Sequence, residues 1–311
     1  MGPRSPAHDG QLETILRETS MKLATFSEGG SVRIGVVRDD GIVDLSKAAP
    51  ELPRDMKSLI GNEAALARAR EVAKGGAALP LSAVKLLAPI PNPGKVLAIG
   101  LNYRDHVEES GQPMPEHQVW FNKQHNCITG PYADIALPSV SAFLDYEAEM
   151  CFVIGKRCKH VPKERAHEVI AGYFVGDDVS VRDWQLRTNT WQIGKSFDTH
   201  GPIGPWIVTP DEVGDPHALD IKCWVNGELR QNSNTKHLIF DCFDQIAHLT
   251  QAFTLDIGDV IFTGTSGGIG AAMKPMQLLK EGDVVRVEVE KLGYIENRVV
   301  PEKAETIIEA A

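Results

Sequence analysis

Short apolar runs separated by turn residues open the patterned part of the chain. Three of them have the length and β-branched content of strands: Met21 to Phe26, Val32 to Val37, and Ile42 to Leu45. From Met56 to Ala73 apolar residues recur every three or four positions, which predicts a helix ending before Gly75-Gly76. Residues 1–20 lack periodicity, and we interpret them as a flexible leader.

A proline-rich stretch then interrupts the pattern. Pro80, Pro89, Pro91 and Pro93 each fix φ and remove a backbone donor, so a helix cannot continue through them. We place a domain boundary here. The sequence therefore predicts a small N-terminal α/β domain over residues 21–88 and a larger catalytic domain over residues 89–303.

The larger segment contains more strands than helices. Its predicted strands are Lys95 to Gly100, Tyr146 to Ile154, Gly172 to Ser180, Ile221 to Val225, Val260 to Thr263 and Val284 to Val289. Its predicted helices are a short one capped by Asn102, then Lys163 to Ile170, Arg182 to Gln192 and Ile239 to Phe253. Asn226-Gly227 signals a type I′ hairpin. Because regular βαβ alternation is missing, we predict an α+β fold with a large mixed sheet.

Composition narrows the function to small-molecule chemistry. The net charge is −10 and the chain is 24% charged, without a basic cluster that could neutralise phosphates, so neither nucleic acid nor a membrane surface is the expected partner. No apolar run has the length of a membrane span, and we expect a cytoplasmic protein. The five cysteines show no CxxC spacing, so free thiols are expected.

Acidic residues cluster in two places. Glu147 and Glu149 stand at i and i+2 before an apolar strand, so both point to the same face. Asp177 and Asp178 follow the apolar run Tyr173 to Val175, at a strand end. Neighbouring carboxylates repel unless they share a proton or a cation, and Mg²⁺ or Mn²⁺ would satisfy them. A solvated strand face paired with lysines explains the same spacing.

Several other residues are candidates for a reaction. His106 and Glu109 share a helical face at i, i+3, so the carboxylate can orient the imidazole as a general base. Lys195 lies between glycine and apolar residues, where a lysine facing a cavity is expected. Arg182 and Gln185 share a helical face and can bind a carboxylate. An exposed helix and an ordinary loop lysine remain the alternatives.

A glycine-rich loop, Thr263 to Gly270, follows a predicted strand and can present backbone N–H groups to an anion. It lacks the GK[ST] ending of a P-loop. It matches the GxSxG pattern of serine hydrolases formally, but the last histidine, His248, precedes it in the chain, which is the wrong order for that triad.

Five segments together carry a family resemblance: Gly100 to His106, Asp145 to Glu149, Asp178 to Gln185, Gly194 to Asp198, and Thr263 to Thr265. In order and spacing they resemble the fumarylacetoacetate hydrolase family, including its acylpyruvate hydrolases and 2-hydroxyhepta-2,4-diene-1,7-dioate isomerases. The resemblance covers about residues 89–301. It implies a mixed β-roll, a homodimer, and a divalent Mg²⁺ or Mn²⁺ ion.

The resemblance also implies residue roles. It assigns the metal to Glu147, Glu149 and Asp178, with Asp177 as an alternative to the last. It makes His106 and Glu109 the catalytic dyad and Lys195 the active-site lysine. Substrate contacts fall on three further residues: Arg182, Gln185 and Thr265.

The implied reaction is cleavage of a C–C bond in a β-diketo acid or acylpyruvate through a metal-stabilised enolate, with water activated by His106. Oxaloacetate decarboxylation, and isomerisation or tautomerisation of unsaturated 2-oxo acids, pass through the same enolate and are the alternative. A non-catalytic protein that binds a 2-oxo acid and metal is a third hypothesis. Trp120 and His125 are expected to shape the acyl pocket, although core packing explains the tryptophan equally well.

Overall fold

A computed structural model describes residues 21–39 and 41–309. The α-helices are α1 Leu45–Ala48, α2 Met56–Ile60, α3 Glu63–Gly75, α4 Arg104–Ser110, α5 Arg182–Gln185, α6 Pro210–Val213 and α7 Cys242–Ala252. The strands of the first half are β1 Lys22–Glu28, β2 Ser31–Arg38, β3 Gly41–Asp44, β4 Ala78–Pro80, β5 Lys85–Leu86, β6 Val96–Gly100, β7 Val119–Lys123, β8 Ile128–Thr129, β9 Ile135–Leu137, β10 Leu144–Asp145 and β11 Ala148–Ile154. Those of the second half are β12 Ile170–Asp177, β13 Ser180–Val181, β14 Gly201–Val208, β15 Asp220–Val225, β16 Glu228–Asn234, β17 Val260–Thr265, β18 Val284–Val289 and β19 Gly293–Pro301.

The largest sheet takes its strands from both predicted domains, between residues 22 and 265. Its strand order is β4-β3-β2-β1-β14-β12-β11-β17-β6-β7, with β5 beside β1 and β8 beside β14. Most pairs are antiparallel, whereas β6 pairs with β17 in parallel. The α+β class with a large mixed sheet is confirmed. Because β1 pairs with β14, residues 21–88 share this sheet with the later segment; the predicted boundary between the two domains stays a prediction.

A second sheet covers one face of the first. Its order is β16-β15-β18-β19-β9, and β10 pairs separately with β13. Every residue of β11 is buried, which matches its nearly unbroken apolar sequence, because the strand lies between β12 and β17 and packs on both faces. The site described below lies at one end of β11 and β12.

Several sequence predictions needed correction. The helix expected over Met56 to Ala73 is two helices, because the Asn62 side chain accepts from the Ala65 N–H and starts α3 afresh. The helix expected from Arg182 ends at Gln185. The segment Lys163–Val169 is a 3₁₀ helix. The predicted leader, residues 1–20, lies outside the described residues.

Two turn predictions have a clear outcome. Asn226 and Gly227 both have positive φ, 52° and 80°, as a type I′ turn requires. Asn102 does not cap α4. Its side chain instead bonds to the Phe240 N–H and to the carbonyls of Phe240 and Thr263, which ties three separate segments together.

None of the helices within the described ranges combines the length and hydrophobicity that a bilayer span requires.

Candidate active site

Three buried carboxylates converge where β11 and β12 pair. Glu147 directly precedes β11, Glu149 lies on it, and Asp178 directly follows β12. The Asp178 N–H donates to the Glu147 carbonyl at 2.9 Å, which holds the two chain segments side by side. One oxygen from each carboxylate lies within 4.8 Å of the other two. We call this group the acidic triad.

The structure distinguishes the two neighbouring aspartates. The Asp178 carboxylate belongs to the triad, whereas Asp177 Oδ1 accepts from the Glu147 N–H at 2.8 Å. Its Oδ2 has no hydrogen-bond partner among the described residues. Burial raises the pKa of Asp177 to about 8, so this side chain is largely protonated at neutral pH. Asp177 therefore supports the backbone of the triad.

Two buried ammonium groups neutralise much of the triad's charge. Lys195 Nζ donates to Glu147 Oε2 at 2.8 Å and to Asp178 Oδ2 at 2.9 Å. Lys123 Nζ donates to Asp178 Oδ1 at 2.7 Å and also to the Lys195 carbonyl. Sequence reasoning identified Lys195 but missed Lys123. Lys123 is buried at the end of strand Val119–Lys123, on the same face as the buried Phe121. This alternation is the one sequence feature that could have identified it.

The cations act unequally on the three carboxyls. Burial pushes the pKa of Glu147 upward, but Lys195 and Arg182 outweigh burial and lower it to about 2. Glu149 is different: burial, with the charges of Asp178 and Glu147, raises its pKa well above the usual value. Its Oε2 accepts from the Gly264 N–H at 2.7 Å. A bound cation would relieve the repulsion that Glu149 experiences.

Arg182 connects the triad to a fourth carboxylate. Its Nε donates to Asp145 Oδ2 at 2.8 Å, and its Nη1 donates to Glu147 Oε1 at 2.5 Å and to Gln185 Oε1 at 3.0 Å. The sequence assigned Arg182 and Gln185 to substrate. Here the guanidinium is largely engaged with protein carboxylates, although both residues also line the cavity described below.

The proposed dyad lies on α4 beside the glycine-rich loop. His106 Nδ1 is 3.9 Å from Glu109 Oε2, and within the described residues it has no hydrogen-bond partner. The Gly268 N–H donates to Glu109 Oε2 at 2.9 Å. The neighbouring imidazole and this N–H lower the pKa of Glu109, so its carboxylate is charged and faces His106.

The glycine-rich loop binds the protein's own carboxylates. Besides Gly264 and Gly268, the N–H groups of Gly270 and Ala271 both donate to Asp145 at 2.9 Å. Thr265 Oγ1 donates to the Ala148 carbonyl at 2.9 Å and accepts from Gln231 Nε2 at 2.8 Å. Sequence reasoning missed Gln231, a fully buried polar residue that no local motif marks.

Several of the residues described above line a cavity of about 120 Å³. Its polar wall carries the triad's Glu147 and five further residues with candidate roles: His106, Arg182, Gln185, Lys195 and Thr265. Its apolar wall includes Ile99, Phe121 and Trp191. The expectation for Trp120 and His125 was wrong: neither lines this cavity. Trp120 packs against the large core and donates to Gln118, because it points to the opposite face of its strand from Phe121.

Comparison with known proteins agrees with the sequence motifs. Residues 95–300 match the family model described as fumarylacetoacetate (FAA) hydrolase, C-terminal, and residues 21–89 match the one described as Rv2993c-like, N-terminal. A relative from Xenopus laevis, oxaloacetate tautomerase fahd2, mitochondrial, is 45% identical over 289 residues, covering 90% of this chain and 91% of the relative.

Two solved structures extend the comparison. Fumarylacetoacetate hydrolase from psychrophilic Exiguobacterium antarcticum is 34% identical with a TM-score of 0.81, over 91% of this chain and 100% of that one. Maleylpyruvate hydrolase from Sphingobium sp. SYK-6, in complex with manganese(II) and pyruvate, is 35% identical with a TM-score of 0.77 over the same shares. Relatives of this chain thus include both hydrolases and a tautomerase.

Proposed function

The chain belongs to the fumarylacetoacetate hydrolase family, and on this premise we propose that it is a metal-dependent tautomerase that interconverts the enol and keto forms of oxaloacetate. The observation that carries the proposal is the small cavity whose wall includes both His106 and Glu147, one of the three carboxylates of the triad. A cavity of about 120 Å³ favours a short substrate, such as a four-carbon oxo-diacid, over one with a long acyl chain.

The triad fits a hard divalent cation. It offers three carboxylate oxygens within 4.8 Å of one another, and the raised pKa of Glu149 marks a buried carboxyl that lacks sufficient positive charge. An all-oxygen donor set favours Mg²⁺ or Mn²⁺ over zinc. A metal held by Glu147, Glu149 and Asp178 would act as a Lewis acid on the oxygens of a bound 2-oxo acid.

The remaining residues supply proton transfer and orientation. With Nδ1 facing Glu109, His106 Nε2 is the atom that takes the proton from carbon 3 of the keto form and returns it when the enol converts back, while the enol oxygen exchanges its proton with water. Lys195 places a positive charge beside the oxygen that becomes the enol oxygen. Thr265, fixed by Gln231, and Gln185 are available to hydrogen-bond the substrate's carboxylates.

Tautomerisation is favoured over C–C hydrolysis for a steric reason. Hydrolysis of an acylpyruvate needs space for the acyl group and for an attacking water, whereas proton transfer within oxaloacetate needs neither. The relative from Xenopus laevis is named for the same activity. C–C hydrolysis is the second candidate, because a histidine oriented by a carboxylate also suits water activation and the maleylpyruvate hydrolase structure is similar.

The test follows the loss of enol absorbance when oxaloacetate enol is mixed with protein and Mn²⁺, with product analysis for pyruvate. We expect acceleration without pyruvate release, and at least about a hundredfold slower turnover for His106→Asn. Glu108→Gln, on the same helix but outside the cavity lining, is the matched control and should match wild type. Pyruvate formation in step with enol loss would favour decarboxylation, and cleavage of acylpyruvates would favour hydrolysis.

Other expectations from the sequence stay proposals. We propose that the protein acts as a homodimer on a small 2-oxo acid, without a nucleic-acid or membrane partner. The cytoplasmic location also stays a prediction, since the relative from Xenopus laevis is named as mitochondrial. A non-catalytic binder would take up Mn²⁺ and oxalate yet leave the enol decay rate unchanged.

A further inference from the structure

We propose that Trp191 is a specificity-determining residue, which closes the apolar end of the cavity and restricts the substrate to short 2-oxo acids. The inference rests on the proposed function and extends it, because it names the residue that limits chain length. Trp191 lies in the loop between α5 and the 3₁₀ turn that carries Lys195. It lines the same cavity as His106 and Lys195.

Two aromatic rings and one missing side chain fix the indole in place. Trp191 meets Phe121 edge to face, with ring centroids 5.8 Å apart. Phe121 in turn lies under Lys195 Nζ, which is 5.2 Å from its ring centre. On the other side the indole packs on Gly100, where a Cβ would clash with Cζ3 and stand 3.1 Å from Cη2. The glycine is therefore what leaves space for the indole ring.

The backbone at this end of the cavity is strained. Trp191 has φ of 59° and Leu101, which also lines the cavity, has φ of 53°. Bulky residues rarely adopt this left-handed conformation, and such strain persists where the surrounding structure enforces it, often at ligand sites. The two strained residues come from separate loops and line the same small space. Because both strained residues line the same space, we infer that their backbone conformations shape this end of the cavity.

The size of the cavity limits the length of the substrate. At about 120 Å³ it is well below the roughly 300 Å³ at which pockets for larger ligands begin. A longer 2-oxo acid would extend from the triad toward Trp191 and meet the indole. Shortening Trp191 to phenylalanine removes the ring atoms nearest Gly100 and should lengthen the space available.

The test measures binding of oxamate and of N-butyloxamate, a 2-oxo acid mimic with a longer tail, to the Mn²⁺-loaded protein by calorimetry. We expect wild type to prefer oxamate by at least about tenfold, and Trp191→Phe and Trp191→Leu to reduce that preference by a similar factor. The control is Trp120→Phe, which replaces a tryptophan of β7 that lies outside the cavity. It should leave the ligand preference unchanged. Melting temperatures of all variants report whether each one folds.

A second pair of variants tests the packing directly. Gly100→Ala should weaken binding of both ligands, because its Cβ displaces the indole into the cavity, and Trp191→Phe in the same chain should restore oxamate binding. The inference is overturned if the ligand preference is unchanged in Trp191→Phe, or if Trp120→Phe changes it equally. Turnover of oxaloacetate by the same proteins is scored separately. If wild type shows the size preference but does not turn over oxaloacetate, only the proposed function is overturned. If it turns over oxaloacetate but shows no size preference, only the role of Trp191 is overturned.

Discussion

Replacing Asp178 by asparagine should lower the melting temperature strongly, whereas the same replacement at Asp177 should change it little. Asp178 accepts from Lys123 at 2.7 Å and from Lys195 at 2.9 Å, so an amide group there turns one acceptor into a donor that faces an ammonium. Removing one partner of a buried ion pair costs about 3–5 kcal/mol. At about 2–4 °C per kcal/mol, Asp178→Asn should melt roughly 10 °C below wild type without metal.

Asp177→Asn is the matched control. With a pKa of about 8 its carboxyl is largely neutral at pH 7, and an amide preserves the acceptor for the Glu147 N–H. We expect a loss below about 1 kcal/mol. The two variants should also differ in their response to metal. Mn²⁺ at a hundred times its Kd adds about 2.7 kcal/mol to wild type, which Asp177→Asn should retain and Asp178→Asn should lose.

The assay is thermal unfolding at pH 7 with EDTA and then with Mn²⁺. The reasoning is refuted if Asp178→Asn melts within about 2 °C of wild type in EDTA, against the shift expected from its loss of a buried ion pair. It is equally refuted if Mn²⁺ stabilises Asp178→Asn as much as it stabilises Asp177→Asn.

Two further predictions concern stability. Burial lowers the pKa of His200 from 6.5 to about 4. Between these pH values the folded state keeps the imidazole neutral, whereas the unfolded state takes up a proton. The free energy of unfolding therefore falls by up to about 3 kcal/mol as the pH drops from 6.5 toward 4. Urea unfolding of His200→Gln should show a flatter pH profile over that window than wild type or the exposed-site control His248→Gln, and parallel profiles would contradict this. Gln231→Leu should cost about 2–4 kcal/mol in urea unfolding and weaken substrate binding, because it leaves the buried Ala148 N–H and Thr265 Oγ1 without their partner. An unchanged unfolding midpoint would show that these bonds contribute little.

Local motifs made part of the site predictable. Glu147 and Glu149 are two residues apart, and Asp178 follows an apolar strand, so strand geometry alone indicated that the carboxylates share a face and lie at a strand end. The i, i+3 spacing placed His106 and Glu109 on one helical face. The structure places Glu147 and His106 on the wall of one cavity, with Glu149 and Asp178 beside Glu147 and with Glu109 beside His106, while their catalytic roles stay predictions.

The missed residues depend on contacts between distant segments. Lys123 reaches Asp178 across 55 positions, and Asn102 bonds to Phe240 and Thr263 across 138 and 161 positions. No periodicity within a window of the sequence carries that information. Asn102 before a helix looked like a cap because capping is the local use of asparagine, and tertiary hydrogen bonds overrode it. For the same reason Trp120 was predicted to line the substrate pocket, whereas the tryptophan that lines the cavity is Trp191.

The proposed tautomerase activity is tested most directly by deuterium incorporation at carbon 3 of oxaloacetate in D₂O, followed by NMR with Mn²⁺-loaded protein. We expect exchange far faster than the uncatalysed rate, no matching release of pyruvate, and loss of the acceleration in His106→Asn and in Glu149→Gln. Exchange at the uncatalysed rate in wild type with the metal bound, or exchange in either variant as fast as in wild type, would contradict this prediction.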